Sequence, residues 1–345
     1  MVQGLVFEGG RRVALRTFAY PTPQEGEVVL RVTASGMCGS DLHYYRADPA
    51  GADTPDHQVC IGGHEPAGII AELGPGVDGQ LLPVGSRVMV HHYAGCGACK
   101  SCRSGWAQMC STAPAQVYGK NAHGAHASYM KVAAASVLPL ADELSFEAGA
   151  AIGCGTGTAW GGLERLGDVG GEDLVVFGQG PVGLSATMLA VARGSRVIAV
   201  DLSADRLRQA SAFGAAETVD PAETDPVQAI RELTTGGGAP LVLETSGSTA
   251  AADAALGSLA PWGRLCVVGL GGTVSVDVRR NLSRQVTVMT SWSMSSVQQI
   301  RCAEFVARHD LPVDDLFSHR WSLDQASEAY TEFDKQASGK GVFVF

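Results

Sequence analysis

The sequence predicts an α/β protein, a mostly β amino-terminal portion followed by a doubly wound parallel sheet. Short β-like runs cut by glycine and proline fill the first half, at Val28–Val32, Ala67–Ala71 and Arg87–Val90. From Ser145 the texture changes to fully apolar runs alternating with helical stretches. Continuous apolar strands separated by helices are what a parallel sheet covered on both faces requires. The chain has 345 residues, 46% of them apolar, and 44 glycines, enough for two cores joined by many tight turns.

The elements follow in order. Met1–Glu8 reads as a first strand closed by a Gly9-Gly10 turn, without the charged-then-apolar layout of a signal peptide, so the cytoplasm is the expected compartment. In the second half, Asp173–Phe177 reads as a strand and Pro181–Arg193 as a helix. Arg196–Val200 is the next strand and Ala204–Phe213 the next helix, with further strands at Leu241–Glu244 and Leu265–Val268. Beyond Trp292 come a helix, Ser296–Arg308, and a last strand, Gly341–Phe345, expected to return to the first domain. The expected division is 1–155, completed by 293–345, and 156–292. No internal repeat or low-complexity tract interrupts this order.

Charge and hydropathy exclude two classes of partner. A formal net charge of −10 and a pI near 5.3 argue against nucleic acid, whose phosphates need a basic face. No stretch approaches the roughly 18–20 uninterrupted apolar residues of a membrane span.

Gly178-Gln179-Gly180-Pro181-Val182-Gly183 is a G-x-G-x-x-G run that directly follows an apolar strand and opens a helix. The first glycine permits the turn and the second lets backbone approach a pyrophosphate. The third allows close helix–sheet packing, with phosphate at the positive helix terminus. Asp201 ends the next strand 23 residues after Gly178. A carboxylate there binds both ribose hydroxyls of NAD and repels the 2′-phosphate of NADP. The segment is expected to be a Rossmann-type NAD site. Arg206 is placed to reach the adenosine ribose, with a solvated helix surface as its competing reading.

Nine cysteines are unevenly spread, and in a reducing compartment clustering favours metal over disulfides. Cys96, Cys99, Cys102 and Cys110 offer four thiolates on one short loop, which suits a closed, structural zinc. An iron–sulfur cluster is the nearest rival, but its fourth cysteine usually follows sooner and precedes proline, whereas Cys110 precedes Ser111. Three other segments, Cys38–His43, Gly63–Pro66 and Gly153–Thr158, carry Cys38, His64 and Cys154. Together they supply a Cys–His–Cys set that leaves a fourth position on a catalytic zinc.

The order C-x-S-D-x-H, then G-H-E, then four cysteines, then G-x-G-x-x-G resembles the zinc-containing medium-chain alcohol dehydrogenase family, across essentially the whole chain. The resemblance implies a GroES-like catalytic domain and a Rossmann domain, one catalytic and one structural zinc, and NAD. It implies that Cys38, His64 and Cys154 are the catalytic zinc ligands, with Glu65 the neighbouring acid that enters the zinc shell transiently in some members. Asp41 resembles the carboxylate that orients the ligand histidine, a role with independent sense. Ser40 matches the hydroxyl that accepts the substrate proton and His43 its outlet to solvent. Thr158 is expected behind the nicotinamide, and Val268 and Leu270 where backbone meets the carboxamide. Homodimers or homotetramers are usual in the family.

The chain also departs from the family pattern. Polyol dehydrogenases typically carry glutamate where Cys154 stands, and liver-type enzymes place an arginine at the position of Gly39. His92 replaces an apolar aromatic of the alcohol pocket, so His91-His92-Tyr93 either polarises that pocket or forms a strand-end cluster near the structural zinc. Trp292 is expected at the domain junction, closing on substrate or filling core. The function expected is hydride transfer between NAD and a secondary or polyol-type alcohol. The alternatives are a simple secondary or primary alcohol dehydrogenase and a non-catalytic NAD(H)-binding redox sensor. A zinc-free reductase would lack the Cys–His–Cys set, and a metal-storage module would lack the glycine fingerprint.

Overall fold

The computed structural model describes residues 1–48, 60–234, 237–336 and 339–345. A six-stranded parallel sheet runs in the order Glu217–Val219, Arg196–Val200, Asp173–Phe177, Ala239–Glu244, Leu259–Val267 and Thr287–Thr290. The chain reverses its direction of winding between Asp173–Phe177 and Ala239–Glu244. A ligand crevice therefore opens beyond their carboxyl ends. Side chains alternate across each strand. Leu174 and Val176 thus enter one core while Val175 and Phe177 enter another, all fully or nearly fully buried. An uninterrupted apolar strand needs helices on both faces, and this alternation is why.

The second sheet is largely antiparallel and has seven strands. Its path is Phe317–Trp321, Lys340–Val344, Glu27–Gly36, Glu65–Leu73, Arg87–Val90 and Val137–Pro139, with Tyr129–Ala133 also pairing to Glu27–Gly36. The final strand joins at Val342 opposite Gly36, so the carboxy-terminal tail is built into the amino-terminal sheet. A separate hairpin, Val2–Gly9 with Arg12–Phe18, turns at Gly9 and Gly10, both left-handed at φ 71° and 57°.

Strands and helices read from pattern lie where expected to within a few residues, except that the strand read from Leu265 begins at Leu259, and Arg87–Val90, Asp173–Phe177, Arg196–Val200 and Ser296–Arg308 match at both ends. Some of the differences sit near the chemistry. Asp41–Arg46 is a six-residue helix, too short to show a helical period. Phe146–Ile152 and Gly155–Leu166 are helices on either side of Cys154; their glycine- and alanine-rich sequences lack the polar face that reveals a surface helix, because most of both is buried. Among the described residues no helix is long and apolar enough to cross a membrane.

Candidate active site

Three loops bring the metal candidates together. Cys38 follows the strand Glu27–Gly36, His64 precedes Glu65–Leu73, and Cys154 lies between two helices. One ligand atom from each of Cys38, His64, Glu65 and Cys154 falls within 4.8 Å of the others. The Cys38 and Cys154 sulfurs are 3.8 Å apart, the edge of a tetrahedron about 3.8 Å long that Zn–S bonds of about 2.3 Å require. Asp41 Oδ1 sits 3.1 Å from His64 Nδ1, and Asp41 Oδ2 accepts the Cys38 backbone N–H at 2.8 Å. The carboxylate therefore fixes both the imidazole and the thiol loop.

The protonation pattern suits a cation. A hydrogen bond from Cys154 holds the Cys38 thiol well below its ordinary value, although burial opposes it. That hydrogen bond and burial push Cys154 up. Burial works against charge on His64, but Asp41 and Cys38 outweigh it and hold its pKa well above the usual range. Burial lifts Glu65 to about 8 against the opposing pull of Lys340, whose Nζ lies 2.5 Å from Oε2. Glu65 Oε1 is buried without a hydrogen-bond donor. A soft–borderline donor set at tetrahedral spacing, with one orphaned carboxylate oxygen beside it, fits zinc.

The second cluster is a shallow lobe. Cys96, Cys99, Cys102 and Cys110 also place their sulfurs within 4.8 Å of one another, with Cys96–Cys102 and Cys99–Cys110 both at 4.0 Å. Backbone donors lower Cys99 to about 5 and Cys110 to about 7, whereas desolvation and the neighbouring thiols raise Cys102 to about 12. Four thiols and no vacant corner fit a closed, structural ion.

A single cleft of about 1750 Å³ joins the first cluster to the glycine turn. Gly178 adopts φ 84° and Gly180 caps the helix Pro181–Ala192 without a side chain in the way. A Cβ on Gly183 would strike the Gly178 carbonyl, so the third glycine serves helix–strand packing. Val182 and Pro181 line the cleft beside them. Asp201 Oδ2 accepts Gln179 N–H at 2.6 Å and Oδ1 accepts Ser203 N–H at 2.9 Å, which ties the acid to the turn itself. Arg206 lies 3.8 Å from Asp201 and donates to the Gln336 carbonyl at 2.7 Å, so it bridges the sheet to the carboxy-terminal tail rather than floating in solvent.

The remaining expected residues line the same cleft. Ser40 begins the short helix without using its hydroxyl as a cap, and Oγ is 3.4 Å from His64 Nε2. His43 is exposed one turn along. Thr158 hangs from the helix after Cys154, its N–H bonded to the Cys154 carbonyl at 2.7 Å. Val268 already gives its N–H to the Glu244 carbonyl at 2.8 Å, so only its carbonyl is left for a ligand; Leu270 is 81% exposed at the rim. His92 lies against His64, ring centroids 5.1 Å apart, while His91 turns away and bonds Gln299 at 3.1 Å. Trp292 is 53% exposed, 5.9 Å from Tyr93. Lys340 escaped the sequence reading: a lone lysine in a terminal apolar strand carries no motif, and only its burial at 2% exposure marks it.

Residues 24–142 match the alcohol dehydrogenase GroES-like domain and residues 181–308 the zinc-binding dehydrogenase domain. The chain is 38% identical to the uncharacterized zinc-type alcohol dehydrogenase-like protein YphC of Escherichia coli, over 98% of this chain and 97% of that protein. It is 30% identical to a sorbitol dehydrogenase of Bacillus subtilis, over 95% and 92%. Its fold superposes on the alcohol dehydrogenase TADH from Thermus sp. ATN1 with a TM-score of 0.90 at 29% identity, over 99% of both chains. The chain belongs to the zinc-type alcohol dehydrogenase family. It is an oxidoreductase of that type, dependent on zinc and a nicotinamide dinucleotide.

Proposed function

We propose that the enzyme moves a hydride between NAD and a secondary or polyol-type alcohol such as a sugar or cyclitol, giving the ketone or aldehyde. One observation carries the reading. The Cys38–His64–Cys154 cluster and the glycine turn open into one cleft, with polar His92 beside the cluster. The fold is taken as a catalytic domain, 1–155 with 293–345, and an NAD-binding domain, 156–292.

Cys38, His64 and Cys154 would hold the catalytic zinc, with Glu65 able to join them, and the four-cysteine lobe the structural one. When bound, zinc supplies Lewis acidity that lowers an alcohol's pKa and NAD supplies the hydride acceptor. Asp41 orients His64. Ser40 takes the hydroxyl proton and passes it on, because a serine has no basicity of its own at neutral pH, and His43, exposed on the short helix that Ser40 precedes, delivers it to solvent. Asp201 and Arg206 bind the adenosine ribose, Gly178, Gly180 and Gly183 the pyrophosphate, and Thr158, Val268 and Leu270 the nicotinamide. His92 and Trp292 face the substrate. The sorbitol dehydrogenase likeness supports a polyol.

The working site is expected in the cytoplasm. Trp262, Leu282 and Val278, each more than two-thirds exposed near the edge strand Thr287–Thr290, support self-association as a homodimer or homotetramer. A screen of alcohols and polyols followed by NADH absorbance, together with metal analysis, tests the reading. About two zinc per chain and polyol turnover are expected, and Cys38→Ala should lose turnover while still binding NAD. Turnover by zinc-free Cys38→Ala would overturn it.

A further inference from the structure

The four-cysteine lobe lies outside the cleft, yet it grips one wall of it. Among the described residues that line the cleft are Ser291, Trp292 and Ser293, but none of the four cysteines. Gln108, on the lobe just before Cys110, is 8% exposed and donates from Nε2 to the Met294 carbonyl at 2.7 Å. A second bond lies close by, from Ser296 N–H to the Gly105 carbonyl at 2.9 Å. Gly105 is left-handed at φ 83°, and a Cβ there would meet Ser296 Oγ at 2.8 Å. Tyr93, which leads into the lobe, meets the Trp292 ring edge-on with centroids 5.9 Å apart.

The gripped segment does not owe its shape to local preference. Ser293 takes φ 57°, a left-handed conformation that an L side chain adopts only where its surroundings impose it. On one side the segment lies against the helix Gly155–Leu166. A Cβ on Gly161 would fall 2.5 Å from the Ser293 carbonyl oxygen, and one on Gly157 would fall 2.4 Å from Met294 Cε. At the entrance Ser291 N–H donates to the Val267 carbonyl at 3.0 Å. At the exit Ser295 caps the helix Ser296–Arg308 through reciprocal hydrogen bonds with Gln298. The Gln108 bond falls between these two anchors, on the residue that follows the strained one. A buried carbonyl stripped of its donor is costly, so Met294 stays tied to the lobe.

We infer that Gln108 fixes the backbone at Met294 and thereby aims the Trp292 ring into the substrate end of the cleft. Gln108 is a positioning residue, and the inference rests on the reading that Trp292 faces the substrate. The four-cysteine lobe thereby bears on which alcohol fits without touching it.

Full-length enzyme carrying Gln108→Met tests this, because the side chain keeps its length and loses the amide. With 5-fluorotryptophan incorporated, the ¹⁹F resonance of Trp292 is the one missing from Trp292→Phe. Gln108→Met should move that resonance and leave those of Trp262 and Trp321, on other strands, in place. Misplacement by about 1 Å can cost about a hundred-fold. The KM for whichever of 2-butanol and sorbitol wild type turns over faster should therefore rise about ten-fold, with kcat and NADH affinity near wild type. Should Gln108→Met not fold, Gly105→Ala, which pushes on Ser296 from the same lobe, is expected to move the same resonance. An unmoved Trp292 resonance would overturn the inference, as would an NADH affinity that falls as far as the alcohol's. So would an alcohol KM that Trp292→Phe raises and Gln108→Met leaves alone. A displaced resonance with a wild-type alcohol KM in Trp292→Phe would instead overturn the reading that Trp292 faces the substrate.

Discussion

Lys340 Nζ lies 2.5 Å from Glu65 Oε2, and the two side chains are 2% and 0% exposed. Lys340 also donates to the Met37 carbonyl at 2.9 Å, one residue before Cys38. A single lysine from the last strand thus anchors both the acid of the metal cluster and the loop that carries a thiol. Removing Lys340 would leave the buried Glu65 carboxyl without its donor, at about 1–3 kcal/mol. Lys340→Met should destabilise the enzyme by that order in urea unfolding, and Lys340→Met/Glu65→Gln should recover much of it. If the double variant were no more stable than the single, the pair would not be the cause.

Asp201→Ala should change which dinucleotide the enzyme prefers. The carboxylate sits just beyond the strand Arg196–Val200, where the proposed reading has it favour ribose hydroxyls and repel a 2′-phosphate. The ratio of NAD to NADP affinity is expected to fall about ten-fold or more, equivalent to about 1.4 kcal/mol. Fluorescence titration with NADH and NADPH reads it directly, and an unaltered ratio removes Asp201 from the ribose.

In the proposed reading, His92 would give the substrate a hydrogen-bond acceptor in the cleft. Its Nδ1–H is committed to the Gly153 carbonyl at 3.0 Å, and burial holds the ring neutral, well below its ordinary pKa. Nε2 is then a lone-pair acceptor at the cleft. For His92→Phe, kcat/KM on a polyol should drop about ten- to a hundred-fold relative to 2-butanol, since a polar site discriminates through groups left unpaired. Equal losses on both alcohols would place His92 in packing rather than recognition.

Stability should fall with acid through His126. Its folded pKa of about 4 lies below the unfolded value of 6.5. Between those values the unfolded chain binds more protons, so the contribution is complete above pH 6.5 and is lost as pH falls toward 4. It is worth about 3 kcal/mol at most. Urea midpoints measured from pH 7.5 to 4.5 should decline less steeply for His126→Gln than for wild type, and parallel curves would refute the assignment.

Much of this was legible in the chain because it rests on local spacing. Cys96, Cys99, Cys102 and Cys110 lie close enough in sequence for any compact loop to bring them together. Gly178 to Asp201 is one strand–helix–strand step, whose period and glycines are written in consecutive residues. What sequence could not reach is contact between segments with no shared pattern. Nothing local pairs Lys340 with Glu65, or carries Tyr330 to His126. Such pairs arise only when the last strand adds to Glu27–Gly36 and its preceding helix packs behind the cluster. Residue type and spacing determined the chemistry this protein holds. Burial and non-local hydrogen bonding, which exist only after the chain has closed on itself, decided which of its ordinary residues hold that chemistry in place.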